Sequence, residues 1–140
     1  AIAAGVAEGL NLGENAKSAL ISRSFAEMTR YAKKFKADKN TLFGLSGLGD
    51  LILTCSSKNS RNTQFGIKLA SSKYDNFLDL LKSQEVTEGY YTVKAVYNIS
   101  QKKNIDMPIM ESVYNILYKQ HDLKEELSNL LNRPITDEKI

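Results

Sequence analysis

The sequence predicts an all-α fold, and three observations carry that prediction. Apolar residues recur at intervals of three and four in several segments, which places them on one face of a helix. Strict apolar–polar alternation of the kind that marks a half-buried strand is absent, apart from a short apolar patch at 51–53. Residues that favour helix starts, chiefly Ser and Asp, precede several of the periodic segments.

The first third of the chain predicts two helices. Residues 1–11 are small and apolar enough to form a buried helix, with Gly13 as its C-terminal cap. Asn15 is then expected to cap a long helix that ends near Lys36. One face of that helix would carry the apolar residues Ile21, Phe25, Met28, Ala32 and Phe35.

Polar residues are predicted to cap shorter helices in the middle of the chain. These helices and their caps are 39–45 after Asp38, 61–70 after Ser60, and 76–81 after Asp75. Between the first and the second, Gly44, Gly47 and Gly49 break the periodicity and predict an irregular segment. A short apolar element follows at 50–55.

The last third of the chain predicts three further helices. The first follows Gly89 and ends near Lys103, and the second carries Pro108 in its first turn, where proline is well tolerated. The third has its leucines on one face, and Pro134 ends it.

Composition favours one small globular domain spanning residues 1–140. The chain has 140 residues, of which 42% are hydrophobic, and a formal net charge of +3. This excess of positive charge is mild compared with that of dedicated nucleic-acid-binding domains, so a solvated Lys-rich surface is favoured over a nucleic-acid partner. A single Cys and a single His provide neither a disulfide nor a metal cluster, which fits a reducing cytoplasm.

The start of the chain predicts neither a signal peptide nor a membrane span. The apolar stretch 1–12 is short, contains Glu8 and lacks a preceding basic segment. The chain also opens without Met inside a run of small apolar residues. We therefore expect a processed or truncated product whose first helix begins upstream of Ala1.

The strongest candidate site is a polar cluster around the glycine-rich segment. Asp50, Thr54, Ser60, Arg61 and Asn62 fall within thirteen residues. The first two are one helical turn apart, so both side chains can face one cleft. The other three begin a predicted helix, where free N–H groups and an arginine favour a phosphate. The alternative is structural, with Asp50 and Ser60 as caps and Arg61 as a solvated charge.

Several separated motifs resemble the C-terminal domain of bacterial-type NAD(P)-dependent glycerol-3-phosphate dehydrogenases. They occur in family order and cover essentially the whole chain. The matching segments are 1–10, 15–17, 22–23, 27–30, 43–55, 60–62, 86–89 and 107–109. The resemblance implies a multi-helix substrate domain of the 6-phosphogluconate-dehydrogenase-like type. It also implies an N-terminal Rossmann domain, absent from this chain, which would bind most of the cofactor.

The resemblance assigns roles in substrate binding and catalysis. Asp50 matches an aspartate of the family's substrate site, close to a catalytic lysine that the family places a few residues before the position of Ala1. Thr54 would supply a nearby hydroxyl as a second supporting catalytic residue. Ser60, Arg61 and Asn62 match a substrate-binding triplet of the family. Asp50 is the fourth substrate-binding residue that the resemblance implies.

The resemblance also implies contacts with NAD or NADP, without deciding between the two. Arg61, Val86 and Glu88 match positions close to the dinucleotide. Thr87 stands where many relatives carry an aliphatic residue, which leaves the role implied for Glu88 intact but its local packing open. The implied ligand is a small phosphorylated substrate, and a homodimer is one possible assembly.

Two other readings of the sequence stay open at this stage. A related helical domain of a 3-hydroxyacid or 6-phosphogluconate dehydrogenase would share the architecture, although the Gly-Asp-Leu segment at 49–51 and the Ser-Arg-Asn segment at 60–62 argue against it. A basic, non-enzymatic adaptor would use the Lys-rich face at 30–36 to contact nucleic acid or an acidic protein. The adaptor hypothesis leaves the ordered series of motifs unexplained.

Overall fold

The computed structural model describes residues 1–71, 77–83 and 86–134, and all regular structure within these ranges is helical. This confirms the all-α prediction. The helices are α1 (Ile2–Gly9), α2 (Glu14–Lys34), α3 (Lys39–Phe43), α4 (Asp50–Ser56), α5 (Arg61–Ala70), α6 (Phe77–Lys82), α7 (Glu88–Lys103), α8 (Pro108–Lys119) and α9 (Leu123–Asn132). A π-helical turn, Leu45–Gly49, precedes α4. Across the described ranges, every helix is too short or too polar to traverse a lipid bilayer.

The short helix α1 is buried against α5 at unusually close range. Residues 2–7 of α1 are all buried. A Cβ atom placed on Gly5 would lie 2.1 Å from the carbonyl oxygen of Thr63, and one placed on Gly66 would lie 2.1 Å from that of Ile2. Any larger residue at either position would therefore collide with backbone, and this pair of glycines sets the spacing of the two helices.

The hydrophobic core surrounds α1 and draws on both ends of the chain. Its buried members include Val6 of α1, Leu20 of α2, Phe65 of α5 and Leu117 of α8, with Leu127 of α9. These side chains are 1% to 2% exposed, as expected for a close-packed interior. The core thus fixes the start of α5, where the candidate binding residues lie, relative to the C-terminal helices.

A buried carboxylate joins α2 to the start of α8. Glu27 is 3% exposed, and it accepts hydrogen bonds from the backbone N–H groups of Ile109 at 2.6 Å and Met110 at 3.2 Å. These N–H groups lie in the first turn of α8, where no helical carbonyl can satisfy them. Glu27 therefore acts as a cap supplied by another helix.

Tyrosine rings pack α7 against α8. The rings of Tyr97 and Tyr114 stack with centroids 3.8 Å apart, and those of Tyr90 and Tyr118 stack at 4.6 Å. The Tyr118 hydroxyl donates to the carbonyl oxygen of Tyr90 at 2.6 Å. This ladder holds the N-terminal part of α7, and with it Glu88, against the C-terminal half of the fold.

Three of the predicted helix starts are confirmed. The Asp38 carboxylate accepts from the backbone N–H of Asn40, and the Ser60 hydroxyl accepts from that of Thr63. Pro108 is the first residue of α8. The predicted helix at 76–81 is observed as α6, whereas its proposed cap, Asp75, lies outside the described residues.

Two predicted caps in the turn between α1 and α2 are wrong. The helix α1 has ended by Asn11, which takes the left-handed conformation at φ 55°. The helix α2 begins at Glu14, so Asn15 lies inside its first turn and Gly13, at φ 89°, is the N-cap. Asparagine tolerates left-handed backbone better than most residues, so Asn11 can end α1. Gly13 then takes the second positive φ of this turn.

The predicted apolar face of α2 and the start of α7 also need correction. Phe35 is 48% exposed because α2 ends at Lys34 and the helical periodicity stops there. Gly89 was expected to precede its helix, yet α7 already begins at Glu88. The glycine is held in the first turn of α7 by a side chain from α5.

The glycine-rich segment is more regular than predicted. The helix α3 ends at Phe43, short of Leu45, and the π-helical turn that follows runs directly into α4. The backbone N–H of Gly49 donates to the carbonyl oxygen of Gly44 at 3.2 Å. This bond joins residues five apart in the chain, which is the hydrogen-bond pattern of a π-helix. The apolar patch at 51–53 is accordingly helical.

Candidate functional site

Asp50 directly follows the π-helical turn and is the first residue of α4. Asp50 is exposed, and Thr54 follows one turn later and is half-buried. Their spacing places both side chains on neighbouring positions of one helical face, as predicted. Local π-helical turns are frequent at functional sites, where they redirect a side chain without breaking the helix.

The start of α5 offers free hydrogen-bond donors. Ser60 caps the backbone N–H of Thr63 at 3.3 Å, and its carbonyl oxygen accepts from Gln64 at 2.9 Å. The backbone N–H groups of Arg61 and Asn62, in the first two positions of the helix, have no helical acceptor. Together with the positive end of the helix dipole, they favour an anion at this point.

A side-chain hydrogen bond ties this helix start to α4. The Thr63 hydroxyl donates to the carbonyl oxygen of Thr54 at 2.7 Å. Thr63 is buried, so the bond forms away from water and constrains the connecting loop. Because of it, Asp50 and Thr54 are carried on a helix that is anchored to the start of α5.

Arg61 forms an exposed ion pair with Glu88 at the start of α7. The Nη1 atom of Arg61 lies 3.0 Å from Oε1 of Glu88, and the two side chains are 72% and 74% exposed. An ion pair this exposed contributes little to stability and exchanges readily with other partners. The guanidinium therefore stays accessible to a ligand, while the carboxylate offers oxygens to ligand hydroxyl groups.

Asn62 is held by the segment that leads into α7. Its Oδ1 atom accepts from the Thr87 hydroxyl at 2.6 Å and from the backbone N–H of Gly89 at 3.1 Å. A Cβ atom on Gly89 would lie 2.3 Å from the same Oδ1. The close approach of Asn62 therefore favours glycine at this position in the first turn of α7.

The sequence-predicted residues fall into two groups. Arg61, Asn62 and Glu88 are brought together by the contacts described above. Asp50 and Thr54 belong to the adjoining helix, and within the described ranges no hydrogen bond or ion pair links their side chains to the first group. Val86 is half-buried and packs against the hydrophobic core, so part of its role is structural.

A pocket of about 220 Å³ adjoins Asn62. Leu51, next to Asp50, lines it together with Asn62 and Gly89, and Ala1 lies on the same lining. Most of the remaining lining is apolar and comes from α1, α7 and α8. A separate, smaller pocket of about 70 Å³ is lined by Arg23, Arg30 and Arg133 and holds no residue of the predicted site.

Sequence reasoning gave no site role to Thr87. It treated the residue only as a departure from an aliphatic pattern, whereas the structure buries it with its hydroxyl on Asn62. The available signal was a hydroxyl residue directly before Glu88 at a helix start. That signal favours a cap, yet Thr87 makes no side-chain cap bond to α7.

The arrangement has a counterpart among solved structures. Glycerol-3-phosphate dehydrogenase from Coxiella burnetii superposes on this chain with a TM-score of 0.87 and 38% identity. The alignment covers 94% of this chain and 40% of that one. The fold is therefore of the class of helical domains that form part of a dehydrogenase.

Sequence comparison identifies the family. The model for the C-terminus of NAD-dependent glycerol-3-phosphate dehydrogenase matches residues 1–128, and the chain belongs to this family. Curated glycerol-3-phosphate dehydrogenases [NAD(P)+] from Solidesulfovibrio magneticus and Colwellia psychrerythraea are 47% and 44% identical over 99% and 95% of this chain. The chain spans 42% and 40% of the length of these two relatives.

Proposed function

We propose that residues 1–140 form a single substrate-binding domain of an enzyme that interconverts dihydroxyacetone phosphate and sn-glycerol 3-phosphate with NADH or NADPH. The observation that carries this proposal is the start of α5. There, free backbone N–H groups, the exposed guanidinium of Arg61 and the amide of Asn62 lie within two residues of each other. Family membership makes a small phosphate ester the ligand that best fits these donors.

In this proposal the substrate phosphate binds at the helix start. Arg61 provides a planar fork that matches phosphate oxygens, and Asn62 donates from its side-chain amide. Ser60 keeps the hydrogen of its hydroxyl for the ligand, because the oxygen is the part that caps Thr63. An anion here also gains from the helix dipole.

Asp50 and Thr54 line the reacting end of the substrate in the same proposal. The family resemblance places a catalytic lysine a few residues before Ala1, and Ala1 lies on the pocket that Leu51 and Asn62 also line. A lysine entering from that side would come close to Asp50. The carboxylate would then stabilise the lysine's charged form and orient it, while the Thr54 hydroxyl would supply a neighbouring hydrogen bond.

The proposed reaction is a hydride transfer with a matched proton transfer. When bound, the nicotinamide cofactor would supply the hydride that the C2 carbonyl carbon accepts. The C2 oxygen gains negative charge as the carbonyl π bond breaks, and the lysine donates its proton there. The residues of this chain hold the phosphate, orient the lysine and fix the distance between the reacting atoms.

The exposed residues at the starts of α5 and α7 suit a dinucleotide. Arg61 can pair with a cofactor phosphate, and the Glu88 carboxylate can accept from ribose hydroxyl groups. Both side chains are open to solvent, so a cofactor could replace their mutual ion pair. Val86 would present an apolar contact beside them. The donors and acceptors present are therefore consistent with a nicotinamide dinucleotide on this face.

The Asp50→Asn substitution tests the catalytic part of the proposal in the full-length enzyme. We expect kcat with dihydroxyacetone phosphate to fall at least about 10-fold, because the lysine loses the charge that holds it in place, while KM for the cofactor stays unchanged. Steady-state kinetics measures both constants. The matched control is Asp106→Asn, which changes an exposed carboxylate whose ion pair with Arg30 is long, at 3.9 Å. Equal kcat values for the two variants would remove Asp50 from the catalytic site.

A further inference from the structure

We propose that Thr87 is a positioning residue, whose hydroxyl holds the Asn62 amide with its NH₂ group turned toward the substrate phosphate. The proposal rests on the phosphate-binding role proposed above for Asn62. It adds a positioning residue that lies at a different helix start and does not itself touch the substrate.

The orientation of the Asn62 amide follows from the chemistry of its partners. The backbone N–H of Gly89 can only donate a hydrogen bond, so the atom that faces it at 3.1 Å must be the oxygen of the amide. The Thr87 hydroxyl lies 2.6 Å from the same atom and therefore acts as the second donor. With Oδ1 satisfied by two donors, a flipped amide would set its NH₂ group against the N–H of Gly89.

The opposite side of the amide is left for a ligand. Among the described residues, neither hydrogen of Asn62 Nδ2 has an acceptor. Asn62 lines the pocket of about 220 Å³, and the free backbone N–H groups of α5 begin at the adjacent position. The two amide hydrogens therefore add to a set of donors for which the described part of the chain provides no acceptor.

Burial makes the Thr87 hydroxyl difficult to replace. Thr87 is 6% exposed, so water has little access to the place of a lost hydroxyl. Without that donor, Oδ1 keeps only the bond from Gly89, and the amide can rotate about its terminal torsion, which is broad. Binding would then have to order the Asn62 amide, and the entropy lost in doing so would lower the affinity for the phosphate.

The experiment compares variants that differ only in the hydroxyl. In the full-length enzyme, Thr87→Val keeps the branched shape of threonine and Thr87→Ser keeps the hydroxyl. We expect Thr87→Val to raise KM for dihydroxyacetone phosphate about 3- to 10-fold, the range of one buried hydrogen bond. The inhibition constant of inorganic phosphate should rise in parallel. Thr87→Ser should stay within about 2-fold of the parent in both constants, and kcat and KM for the cofactor should not change in either variant.

A second pair, Thr87→Ala and Thr87→Ser, guards against a packing defect. Both lack the methyl group, so only the hydroxyl distinguishes them, and the serine variant alone should retain phosphate affinity. If serine and alanine weaken phosphate binding equally, the hydroxyl plays no part and the proposal is overturned. The same conclusion follows if Thr87→Val leaves KM for dihydroxyacetone phosphate unchanged while Asn62→Ala raises it. If Asn62→Ala has no effect, the phosphate role of Asn62 fails first, and this inference fails with it.

Discussion

Among single residues, Glu27 has an unusual environment for a carboxyl group, since it is 3% exposed. Burial raises the pKa of its carboxyl from 4.5 to about 7, and the two backbone N–H donors from α8, together with nearby Arg30, oppose that rise. Asp106 adds a smaller effect in the same direction as burial. The ionised form is thus well bonded but poorly solvated, and the loss of solvation dominates.

This raised pKa predicts how Glu27 affects stability. Because the folded state holds the proton more tightly than the unfolded state, the contribution of Glu27 is complete below pH 4.5 and is lost as the pH rises toward about 7. The difference is roughly 3 kcal/mol. Urea unfolding of the parent and of Glu27→Gln at several pH values isolates this contribution. The variant should lack that part of the pH dependence, and parallel curves for the two proteins would refute the assignment.

Local sequence patterns predict some residues of the site and not others. Ser60 and Arg61 are predictable because a hydroxyl residue before a helical segment is itself the signal for a cap. Thr87 and Glu27 are not, since their partners lie 25 and 82 residues away along the chain. Nothing in a single sequence indicates that a side chain will cap or brace a distant helix start.

At the level of helices, close approach of α1 and α5 matters more than helix propensity. Gly5 lowers the helix propensity of α1, because glycine in a helix interior costs about 1 kcal/mol relative to alanine. The structure shows the compensation, since a Cβ on Gly5 or on Gly66 would meet backbone of the other helix at 2.1 Å. Composition predicts α1 and the Ser60 cap predicts α5, but neither signal indicates which helix surfaces meet.

The Gly66→Ala substitution tests this contact. We expect it to lower the free energy of unfolding by about 3 kcal/mol or more, because the added carbon collides with backbone that cannot move aside without separating the two helices. The matched control is Gly49→Ala. Gly49 has helical backbone angles, φ −60° and ψ −48°, and its Cβ would make ordinary van der Waals contacts, the nearest to a side-chain atom of Leu45 at 3.4 Å and the next to the carbonyl oxygen of Gly44 at 3.7 Å. That variant should be neutral or gain up to about 1 kcal/mol. Similar urea midpoints for the two alanine variants would argue against close packing at Gly66.

For the whole molecule, different features of the sequence indicate the fold class and the family. Periodicity and caps predict an all-α chain, while the mild charge of +3 leaves both an enzyme domain and a basic adaptor open. The ordered motifs, and then family membership over residues 1–128, decide between them. Physical reasoning alone predicts a phosphate site at the start of α5 and does not identify the rest of the substrate.

The division of the proposed active site predicts the behaviour of the isolated chain. We expect residues 1–140 to fold as a helical protein, visible by circular dichroism, because the core is formed within the chain. We also expect no dehydrogenase turnover, since the proposed lysine and most cofactor contacts lie outside it. A coupled assay on the purified chain checks this. Measurable reduction of dihydroxyacetone phosphate would show that the missing groups have been wrongly assigned.

The Arg61→Ala substitution in the full-length enzyme tests the proposed phosphate site at the start of α5. Losing charge-assisted hydrogen bonds worth roughly 1.5 to 3 kcal/mol should lower kcat/KM for dihydroxyacetone phosphate about 10- to 150-fold. Arg61→Lys should recover only part of this, because it restores charge without the planar fork. The kcat/KM for dihydroxyacetone, which has no phosphate, should fall much less in Arg61→Ala. The control Arg133→Ala should leave kcat/KM unchanged for both substrates. Equal losses for dihydroxyacetone and its phosphate would contradict the phosphate site and leave Arg61 with a role only at the cofactor or in the loop.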